Sequence, residues 1–565
     1  MNIVKSVFRK KMAAGFLGLL LMFTQTIASA QVKSDFEIAK NLEIFATLYR
    51  TLNANYVDDL KHGKLFETAI ESMLESLDPY TNYIPETQRE DYMFMTTGQY
   101  GGIGAVIQQR GDYVIVSEPY EGAPAHKAGL IAGDKILEIN GQSAKNKSVS
   151  DVSTILKGQP GTDVNVLIER LNQKEPMLIS ITRENVKVND IPYYGMLEDD
   201  IAYINLSSFT QTASSAVKKA FKELESKSEV KGLIIDLRGN GGGLLNEAVE
   251  IVGMFVPQGE MVVSTKGKLN DSNRVHKTTS QPLDLKIPIA VLVNNHSASA
   301  SEIVAGAFQD LDRAVIVGQR TLGKGLVQNV IPLVYNSSIK VTVAKYYIPS
   351  GRCIQAIDYF HEDENGAPLV IPDSLKTAFT TRNGRTVYES AGIEPDVTID
   401  PKTLGSITVA LVSNHLIFDF ANQFYQKNAE IAPAEEFEIT DQIYEEFKDF
   451  VSKNKVEYQI AAEKSLEKLK SSLSDDMTDK AREFIEGMEE EIAAIKQNDL
   501  LTYENEIRQI LLSEIVTRYY FQRGRVVATL NKDEVVEKAL EILHDNNKYK
   551  DVIGNGSKSN TNGKG

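Results

Sequence analysis

Apolar residues recur at spacings of three and four between Phe36 and about Met95, in the runs EIAKNLEIFATLYRTLNANY and KLFETAIESMLESL. This periodicity is typical of amphipathic helices, so residues 31–97 are predicted to form a small helical domain. From residue 98 to 185, short runs rich in β-branched and aromatic residues, such as YVIVSEP and VNVLIER, alternate with glycine-rich turns. These runs predict a compact module of mixed strands, interrupted by one helix in SVSDVSTILKG.

Between residues 186 and 403, strongly apolar runs such as GLIID and IAVLV alternate with helical segments. Strands that are apolar on both faces and joined through helices indicate a buried, mostly parallel sheet. From residue 404 to 550 the chain is helical almost throughout and predicts a bundle or arm with charged, solvated faces. Residues 551–565 have the composition of a flexible tail. The predicted fold class is therefore multidomain α/β.

The N-terminus has the pattern of an export signal. Four basic residues between positions 5 and 11 precede the apolar run MAAGFLGLLLMF, which is short for a transmembrane helix, and Ala28–Ala30 fits a small-residue cleavage site. Residues 1–30 are therefore predicted to be a signal peptide, with the mature chain beginning near Gln31. An uncleaved segment would instead anchor the protein in the membrane. In either case we expect an exported protein, periplasmic or membrane-associated on the extracytoplasmic side.

The composition excludes several classes of function. A net charge of −16 and an isoelectric point near 5.1 argue against nucleic acid as a partner, because phosphate binding depends on clustered Lys and Arg. Cys353 is the only cysteine, so neither an intramolecular disulfide nor a thiolate zinc site is possible. The seven histidines contain no HExxH pair, and no metal or other cofactor is predicted.

The segment NNHSASASEIVAGAFQD, residues 294–310, places three serines at spacings of two where an apolar strand meets a helix. Unpaired N–H groups at such a turn favour developing negative charge, which suits a nucleophile and an oxyanion hole. The alternative is ordinary N-capping by Ser301, with Glu302 in the first turn. His296 is near in sequence, but it is expected to point elsewhere and is discounted as the base.

Lysine is the other known base for a serine nucleophile, when burial lowers its pKa well below about 10.4. In GQRTLGKGLVQ, Lys324 lies between glycines and is flanked by the apolar strands AVIVG and LVQNVIPLV. The same segment nearly matches the phosphate-binding pattern GxxxxGK[ST]. Because Gly325 replaces the Ser or Thr and a strand follows instead of a helix, nucleotide binding is not expected.

The run YGGIGAVI, followed by PAHKAGLIAGDKILEINGQ, resembles a PDZ domain. This resemblance implies that the loop of Gly101, Gly102 and Gly104 presents backbone N–H groups to the carboxylate of a peptide tail. The side chain of Ile103 would border the pocket for the last residue of that tail. The alternative is that the glycines only form a tight turn.

The segments SASASEI, GxxTxGKG, DLRGNGGG and GIxPD, preceded by the PDZ-like module and DPYT, resemble those of the carboxyl-terminal processing peptidases, or tail-specific proteases. The resemblance covers about residues 36–400 in one consistent order and does not extend to the helical C-terminal region. It implies an exported serine endopeptidase with a Ser–Lys dyad. The implied fold is a ClpP/crotonase-like α/β peptidase core with an inserted PDZ domain, an N-terminal helical domain and a C-terminal helical extension.

Carried over to this chain, the resemblance implies that Ser299, the middle serine, is the nucleophile and that Lys324 is the base. Gln328 matches the glutamine that orients this lysine in the family. The oxyanion formed at the substrate carbonyl requires two donors, each worth on the order of 3 kcal/mol. The candidates are the N–H groups of Ala300 and, in the loop GNGGG, of Gly243, with Gly242 as the next choice.

The predicted function is recognition of protein or peptide substrates with apolar C-termini, followed by cleavage through an acyl-enzyme. Two alternatives remain at this point. A catalytically inactive PDZ scaffold would be expected to lose the dyad, whereas Ser299, Lys324 and Gln328 are all present. A crotonase-type acyl-CoA enzyme would not need an exported PDZ module. Relatives with helical arms often dimerise, so we also predict a homodimer through the helical regions.

Overall fold

The computed structural model describes residues 35–198, 200–362, 366–372, 374, 376–473 and 478–554. The predicted signal peptide and the chain from residue 555 onward, which is most of the predicted tail, lie outside these ranges. The chain divides into two compact units, Met1–Pro79 and Tyr80–Gly565. None of the described helices is both long and apolar enough to cross a membrane.

The first unit contains two helices, α1 (35–55) and α2 (His62–Glu75), as the apolar spacing predicts. Few of the apolar side chains that define this spacing are buried. In α2 only Leu74 is buried, and six apolar side chains of α1 are 41–65% exposed. These six are Phe36, Ile38, Leu42, Ile44, Phe45 and Leu48. Exposed apolar side chains in such number are typical of a surface that another molecule covers.

The second unit begins with β1 (Asn82–Ile84), α3 (Arg89–Thr97), β2 (Gln99–Gly102), β3 (Ala105–Arg110), β4 (Tyr113–Pro119), α4 (Pro124–Lys127), β5 (Lys135–Ile139), β6 (Gln142–Ser143), α5 (Val149–Leu156), β7 (Asp163–Glu169), β8 (Met177–Thr182) and β9 (Glu184–Lys187). An antiparallel sheet has the order β3-β4-β5-β7-β8, with β6 on β5. Inward-facing Val114, Ile136 and Val164 form its core, as the alternation in sequence predicts. We call residues 99–187 the strand module.

The elements that follow are β10 (Tyr193–Leu197), β11 (Ile201–Asn205), α6 (Ala213–Lys227), β12 (Gly232–Asp236), α7 (Leu245–Gly253), β13 (Met261–Gly267), β14 (Arg274–Lys277), β15 (Ile289–Val293), α8 (Ala300–Asp310), β16 (Val315–Gly318), β17 (Leu326–Pro332), β18 (Ser338–Tyr347), β19 (Ile357–Glu362), β20 (Pro368–Val370), β21 (Ala378–Thr380), β22 (Thr386–Tyr388) and β23 (Val397–Thr398). The main sheet has the order β10-β11-β12-β15-β16-β23, and all neighbours except β10 and β11 are parallel. This confirms the predicted buried, mostly parallel sheet.

Five strands form a second, antiparallel sheet. It pairs β1, β18, β13 and β14, with β17 added on β18. The hairpin of β17 and β18 therefore leaves the main sheet instead of extending it. This arrangement places the loop that contains Lys324 between the last residues of β16 and the first of β17.

The C-terminal region is helical, as predicted, with α9 (Ser406–Ser413), α10 (Leu416–Lys427), α11 (Asp441–Asn454), α12 (Ala461–Ser472), α13 (Asp479–Gln497), α14 (Asp499–Thr502), α15 (Glu504–Leu530), α16 (Glu534–His544) and α17 (Asn546–Val552). Helices α10, α11 and α15 share a core of their own around Phe420, Phe447 and Leu511.

Helices from distant parts of the chain cover the two faces of the main sheet. On one face, α6, α7 and α8 bury an aromatic row of Phe221, Phe255 and Phe308. On the other face, α16 and α17 pack against the strands, with Ala539 and Ile542 fully buried. The C-terminal region is therefore more than the solvated bundle or arm that its sequence predicts, because its last two helices complete the α/β core.

The C-terminal helices also contact the strand module. Arg110, at the end of β3, forms a two-pronged ion pair with Asp419 of α10. The ring of Phe521 in α15 lies 4.9 Å from the ring of His126, measured between centroids. The backbone of Phe521 has φ 55° and ψ −157°, so α15 is kinked at this contact.

Candidate active site

Ser299 lies in the turn between β15 and α8, where its backbone adopts φ 56° and ψ −112°. A positive φ costs a residue with a side chain on the order of 1–3 kcal/mol, so it persists only where the surroundings enforce it. The flanking serines are fully buried: Ser297 donates to the carbonyl of Leu237 (2.8 Å) and Ser301 to that of Asn240 (2.9 Å). Of the three serines, Ser299 alone is partly exposed. Its conformation and exposure fit the predicted nucleophile.

Lys324 lies in the loop before β17, and its side chain is half-buried. Its Nζ atom is 4.1 Å from the centre of the Tyr80 ring. The Tyr80 ring contacts Tyr359 edge-on, with ring centres 5.9 Å apart. Because Tyr80 belongs to the DPYT segment, this motif contributes to the surroundings of the predicted base and covers one side of its amine.

Glu302, in the first turn of α8, joins the two segments. Its side chain is fully buried, and its Oε2 atom accepts hydrogen bonds from the backbone N–H groups of both Ser299 (2.8 Å) and Lys324 (2.9 Å). Its Oε1 atom accepts from the N–H of Gly323 (2.7 Å) and the hydroxyl of Thr321 (2.5 Å). Burial raises the pKa of Glu302, and these four bonds oppose the rise because they favour the carboxylate. One carboxylate oxygen thus brings the backbones of the two predicted dyad residues within two hydrogen-bond lengths of each other.

The glycine loop that follows β12 is attached to the serine segment by Asn240, which is fully buried. The Asn240 carbonyl accepts from the N–H of Ala298 (3.0 Å) and from the Ser301 hydroxyl (2.9 Å). Its side-chain amide donates to the carbonyl of Leu206 (2.7 Å), beside β11. Asn240 therefore sets the distance between the loop and the predicted nucleophile.

The two predicted oxyanion donors lie on these adjacent segments. A Cβ atom at Gly242, where φ is +99°, would lie 2.9 Å from the nitrogen of Ala300, so only glycine fits there. The N–H of Gly242 is already used, because it donates to Oδ1 of Asn240 (2.8 Å). The N–H of Phe209 donates to the carbonyl of Gly242 (3.1 Å), and the carbonyl of Phe209 accepts from the N–H of Leu244 (2.8 Å). In a parallel bridge of this kind the N–H of the central residue, Gly243, points away from Phe209. This geometry favours Gly243 over Gly242 as the second donor.

Gln328 lies on β17, four residues after Lys324. Its side-chain amide donates to the Thr342 hydroxyl (3.3 Å) on β18, and the N–H of Thr342 donates to the hydroxyl of Thr81 (3.2 Å). Gln328 thus belongs to a polar row that links β17, β18 and the DPYT segment. Its role in orienting Lys324 stays a prediction.

The glycines of the predicted tail-binding loop are closely packed. Gly101 and Gly102 lie in β2, which pairs with β9. A Cβ atom at Gly101 would lie 2.2 Å from a backbone carbonyl oxygen, and one at Gly104, where φ is +74°, 2.4 Å from Cβ of Ala123. Ile103 is buried in the core of the strand module, so its side chain fixes the loop from within, and its place beside the pocket for the last residue of a tail stays a prediction.

Strand β3 directly follows this loop and lies at the edge of its sheet, with α5 alongside. An edge strand has backbone N–H and C=O groups that an extended peptide can pair with. The loop and the edge are therefore placed as the predicted tail-binding site requires. Among the described residues, no group of three or more His, Cys, Asp and Glu side chains is arranged to hold a metal ion.

The sequence pattern does not single out three residues of this site. Glu302 matches a helix-capping residue, because S-x-x-E at the start of a helix has that pattern. Asn240 carries no signal beyond its place among glycines, and Tyr80 is part of a motif without an evident role. The available signal for Glu302 is that a glycine-rich loop beside a helix must find acceptors for its buried N–H groups.

Family models match four parts of the chain. They are the N-terminal domain of the activating protease CtpB (residues 21–87), a PDZ domain (115–170), peptidase family S41 (200–362) and the C-terminal helical domain of a probable PDZ-protease (407–543). A carboxy-terminal-processing protease of Bartonella bacilliformis is 37% identical over 342 residues, which are 60% of this chain and 77% of the relative. The chain belongs to the carboxy-terminal-processing proteases.

The present chain is also 31% identical over 372 residues to a probable CtpA-like serine protease of Staphylococcus aureus. The match covers 65% of this chain and 67% of the relative. Among solved structures, the photosystem II D1 C-terminal processing protease is 29% identical, covering 64% of this chain and 93% of its own, with a TM-score of 0.35. The family assignment rests on the sequence matches. It confirms the predicted family and a serine-type peptidase with a PDZ domain, and it decides against the acyl-CoA alternative.

We expect Glu302→Gln to lower both stability and activity. The amide nitrogen of the new glutamine would face N–H donors that now bind a carboxylate oxygen of Glu302. The free energy of unfolding should fall by about 1–3 kcal/mol, and cleavage activity should fall with it. Chemical denaturation and a peptide cleavage assay measure the two effects. Glu250→Gln is the matched control, since Glu250 accepts hydroxyl bonds on α7 away from the site. Full activity in Glu302→Gln would contradict this role.

Proposed function

We propose that this carboxy-terminal-processing protease is an exported endopeptidase that cleaves peptide bonds with Ser299 as nucleophile and Lys324 as general base. The observation that carries the proposal is the shared Oε2 atom of Glu302, which binds the N–H groups of both residues. The strained, partly exposed conformation of Ser299 supports its choice among the three serines. His296 is exposed, and its hydrogen bond to Oδ1 of Asn294 is made by the backbone N–H, so neither observation assigns a role to the imidazole ring.

The proposed reaction proceeds in two steps. Neutral Lys324 accepts the proton of the Ser299 hydroxyl while the oxygen attacks the substrate carbonyl carbon. The oxyanion accepts hydrogen bonds from the N–H groups of Ala300 and Gly243. Lys324 then gives its proton to the departing amine, which leaves an acyl-enzyme at Ser299. A water molecule hydrolyses this ester, with Lys324 again accepting and returning the proton.

We expect Ser299→Ala and Lys324→Ala each to lower kcat/KM by at least about a thousandfold, because each removes a group that takes part in every turnover. The measurement is cleavage of an unfolded protein with an apolar C-terminus, in a metal-chelating buffer. His296→Ala is the control and should retain activity. Equal residual cleavage in all variants would refute the dyad. Activity lost in Ser299→Ala and His296→Ala but kept in Lys324→Ala would favour a histidine base.

Apolar C-terminal tails are the proposed ligands of the PDZ domain. Loop N–H groups near Gly104 would bind the terminal carboxylate, and the tail would pair with the edge of β3. Closely packed glycines hold this loop in a conformation that a side chain at Gly104 cannot share.

We expect a peptide with a free, apolar C-terminus to bind the Ser299→Ala protein at least about tenfold more tightly than its C-terminal amide, since the amide lacks the carboxylate charge. Gly104→Ala should abolish this preference. Gly111→Ala, also at positive φ but in open space, is the matched control. Fluorescence anisotropy measures the affinities, and equal affinity for acid and amide would exclude carboxylate recognition.

Two further proposals concern the N-terminal part of the chain. The sequence of residues 1–30 supports export by a signal peptide that is cleaved after Ala30. The second proposal is assembly into a homodimer. The exposed apolar side chains of α1 supply a surface that a second copy would bury. We expect light scattering to give twice the mass of one chain for the wild type. The double variant Leu42→Glu, Leu48→Glu should have the mass of a single chain. A monomeric wild type would refute the dimer, and an exported chain that keeps residues 1–30 would refute cleavage.

A further inference from the structure

The side chain of Arg238 connects the glycine loop to the C-terminal helical domain. Arg238 lies two residues beyond the end of β12 and immediately before Gly239. Its guanidinium group binds the buried carboxylate of Asp236 through Nε (3.0 Å) and Nη2 (2.6 Å). On its other side, Nη1 lies 2.7 Å from Oδ2 of Asp533. The Arg238 and Asp533 side chains are only 22% and 19% exposed, so solvent screens their attraction weakly.

Asp533 is held on a rigid support. Its Oδ1 atom caps α16 by accepting hydrogen bonds from the N–H groups of Val535 (3.0 Å) and Val536 (3.3 Å). Helix α16 packs on the main sheet, where Val536, Ala539 and Ile542 are buried against the strands. The two carboxylates that hold Arg238 are therefore fixed to the same core, one on a strand end and one on a helix start.

The position of Arg238 bears directly on the segment that contains Ser299. The N–H of the next residue, Gly239, donates to Oδ1 of Asn294 (3.0 Å). One residue further, the carbonyl of Asn240 accepts from the N–H of Ala298 (3.0 Å). A shift of Arg238 thus reaches the nucleophile turn through one or two residues of backbone.

The two oxygens of Asp533 are used differently. Oδ1 caps the helix and lies 3.0 Å from Nη1 of Arg238, whereas Oδ2 makes the shorter contact of 2.7 Å to the same nitrogen. The neighbouring residue, Glu534, pairs with Lys402 at 2.6 Å, and both of those side chains are mostly exposed. The shorter contact with Arg238 therefore uses the oxygen of Asp533 that does not cap α16.

We propose that Asp533 is a positioning residue of the peptidase. Its carboxylate holds Arg238 and, through Arg238, the glycine loop (residues 239–243) beside Ser299. The C-terminal helical domain would thereby supply a residue that the catalytic geometry depends on. This inference rests on the proposed function for its effect on turnover. Its structural part, the fixing of the loop, is measurable without any turnover.

Two replacements of Asp533 separate positioning from capping. Asn caps a helix as well as Asp but has no charge for Arg238, whereas Glu keeps the charge and is a poor N-cap. If Asp533 positions the loop by its charge, activity decreases in the order wild type, Asp533→Glu, Asp533→Asn. If it only caps α16, the order of the two variants is reversed and follows their thermal stability.

We expect Asp533→Asn to lower kcat about 10- to 100-fold with KM nearly unchanged, because a misplaced oxyanion donor affects the transition state more than substrate binding. Asp533→Glu should stay within about threefold of wild type. Hydrogen–deuterium exchange of full-length protein should be faster over residues 236–244 in Asp533→Asn, and unchanged over the PDZ domain. Glu534→Gln is the matched control and should alter neither readout.

The outcomes distinguish this inference from the proposed function. A wild type that cleaves no substrate, combined with faster loop exchange in Asp533→Asn, would refute the proposed function and support the fixing of the loop. Unchanged loop exchange in a folded Asp533→Asn protein would overturn the inference, whatever its activity. Near wild-type activity in Asp533→Asn, together with impaired activity in Asp533→Glu, would also overturn the inference and assign Asp533 to helix capping.

Discussion

The geometry of the site depends on the burial of one carboxylate. A fully buried charge is tolerated only when hydrogen bonds replace the water it has lost, and Glu302 has four such donors. Two of the donors are the backbone N–H groups of Ser299 and Lys324. A displacement of either segment would leave the carboxylate unsatisfied in the interior. The high cost of that state keeps the turn before α8 and the loop before β17 in one fixed relation.

Neutral groups perform the same task on the other side of Ser299. The carbonyl of Asn240 ties the glycine loop to the serine segment, and its side-chain amide ties the loop to Leu206, next to β11. Its side-chain oxygen holds Gly242 within the loop. Beyond the loop, Arg238 reaches the start of α16, and the same helical domain contacts the PDZ domain through the rings of Phe521 and His126. The C-terminal domain therefore touches both the PDZ domain and the surroundings of the turn that contains Ser299.

Much of this arrangement can be predicted from the sequence, because some features have local patterns. Apolar runs such as IAVLV predict the buried strands, and the SASAS and TLGKG motifs point to Ser299 and Lys324. Other features have no local signature. The positive φ of Ser299 is imposed by its surroundings, and Glu302 has the pattern of a capping residue whether or not it bridges two loops. The apolar stripe of α16 predicts that one face is buried, but it contains no information on what covers it. Only the three-dimensional structure shows that the partner is the main sheet, from which α16 is distant in sequence.

The covering of the main sheet by α16 and α17 also has a consequence for the order of events during synthesis. Ser299 and Lys324 leave the ribosome well before these helices are made, while the sheet face formed by Ile201, Ile234 and Leu292 is still bare. A partial chain that already contains both residues therefore lacks the layer that completes its core. The two predicted dyad residues are therefore synthesised before the layer that covers one face of their sheet, and the α/β core is complete only once α16 and α17 have been added.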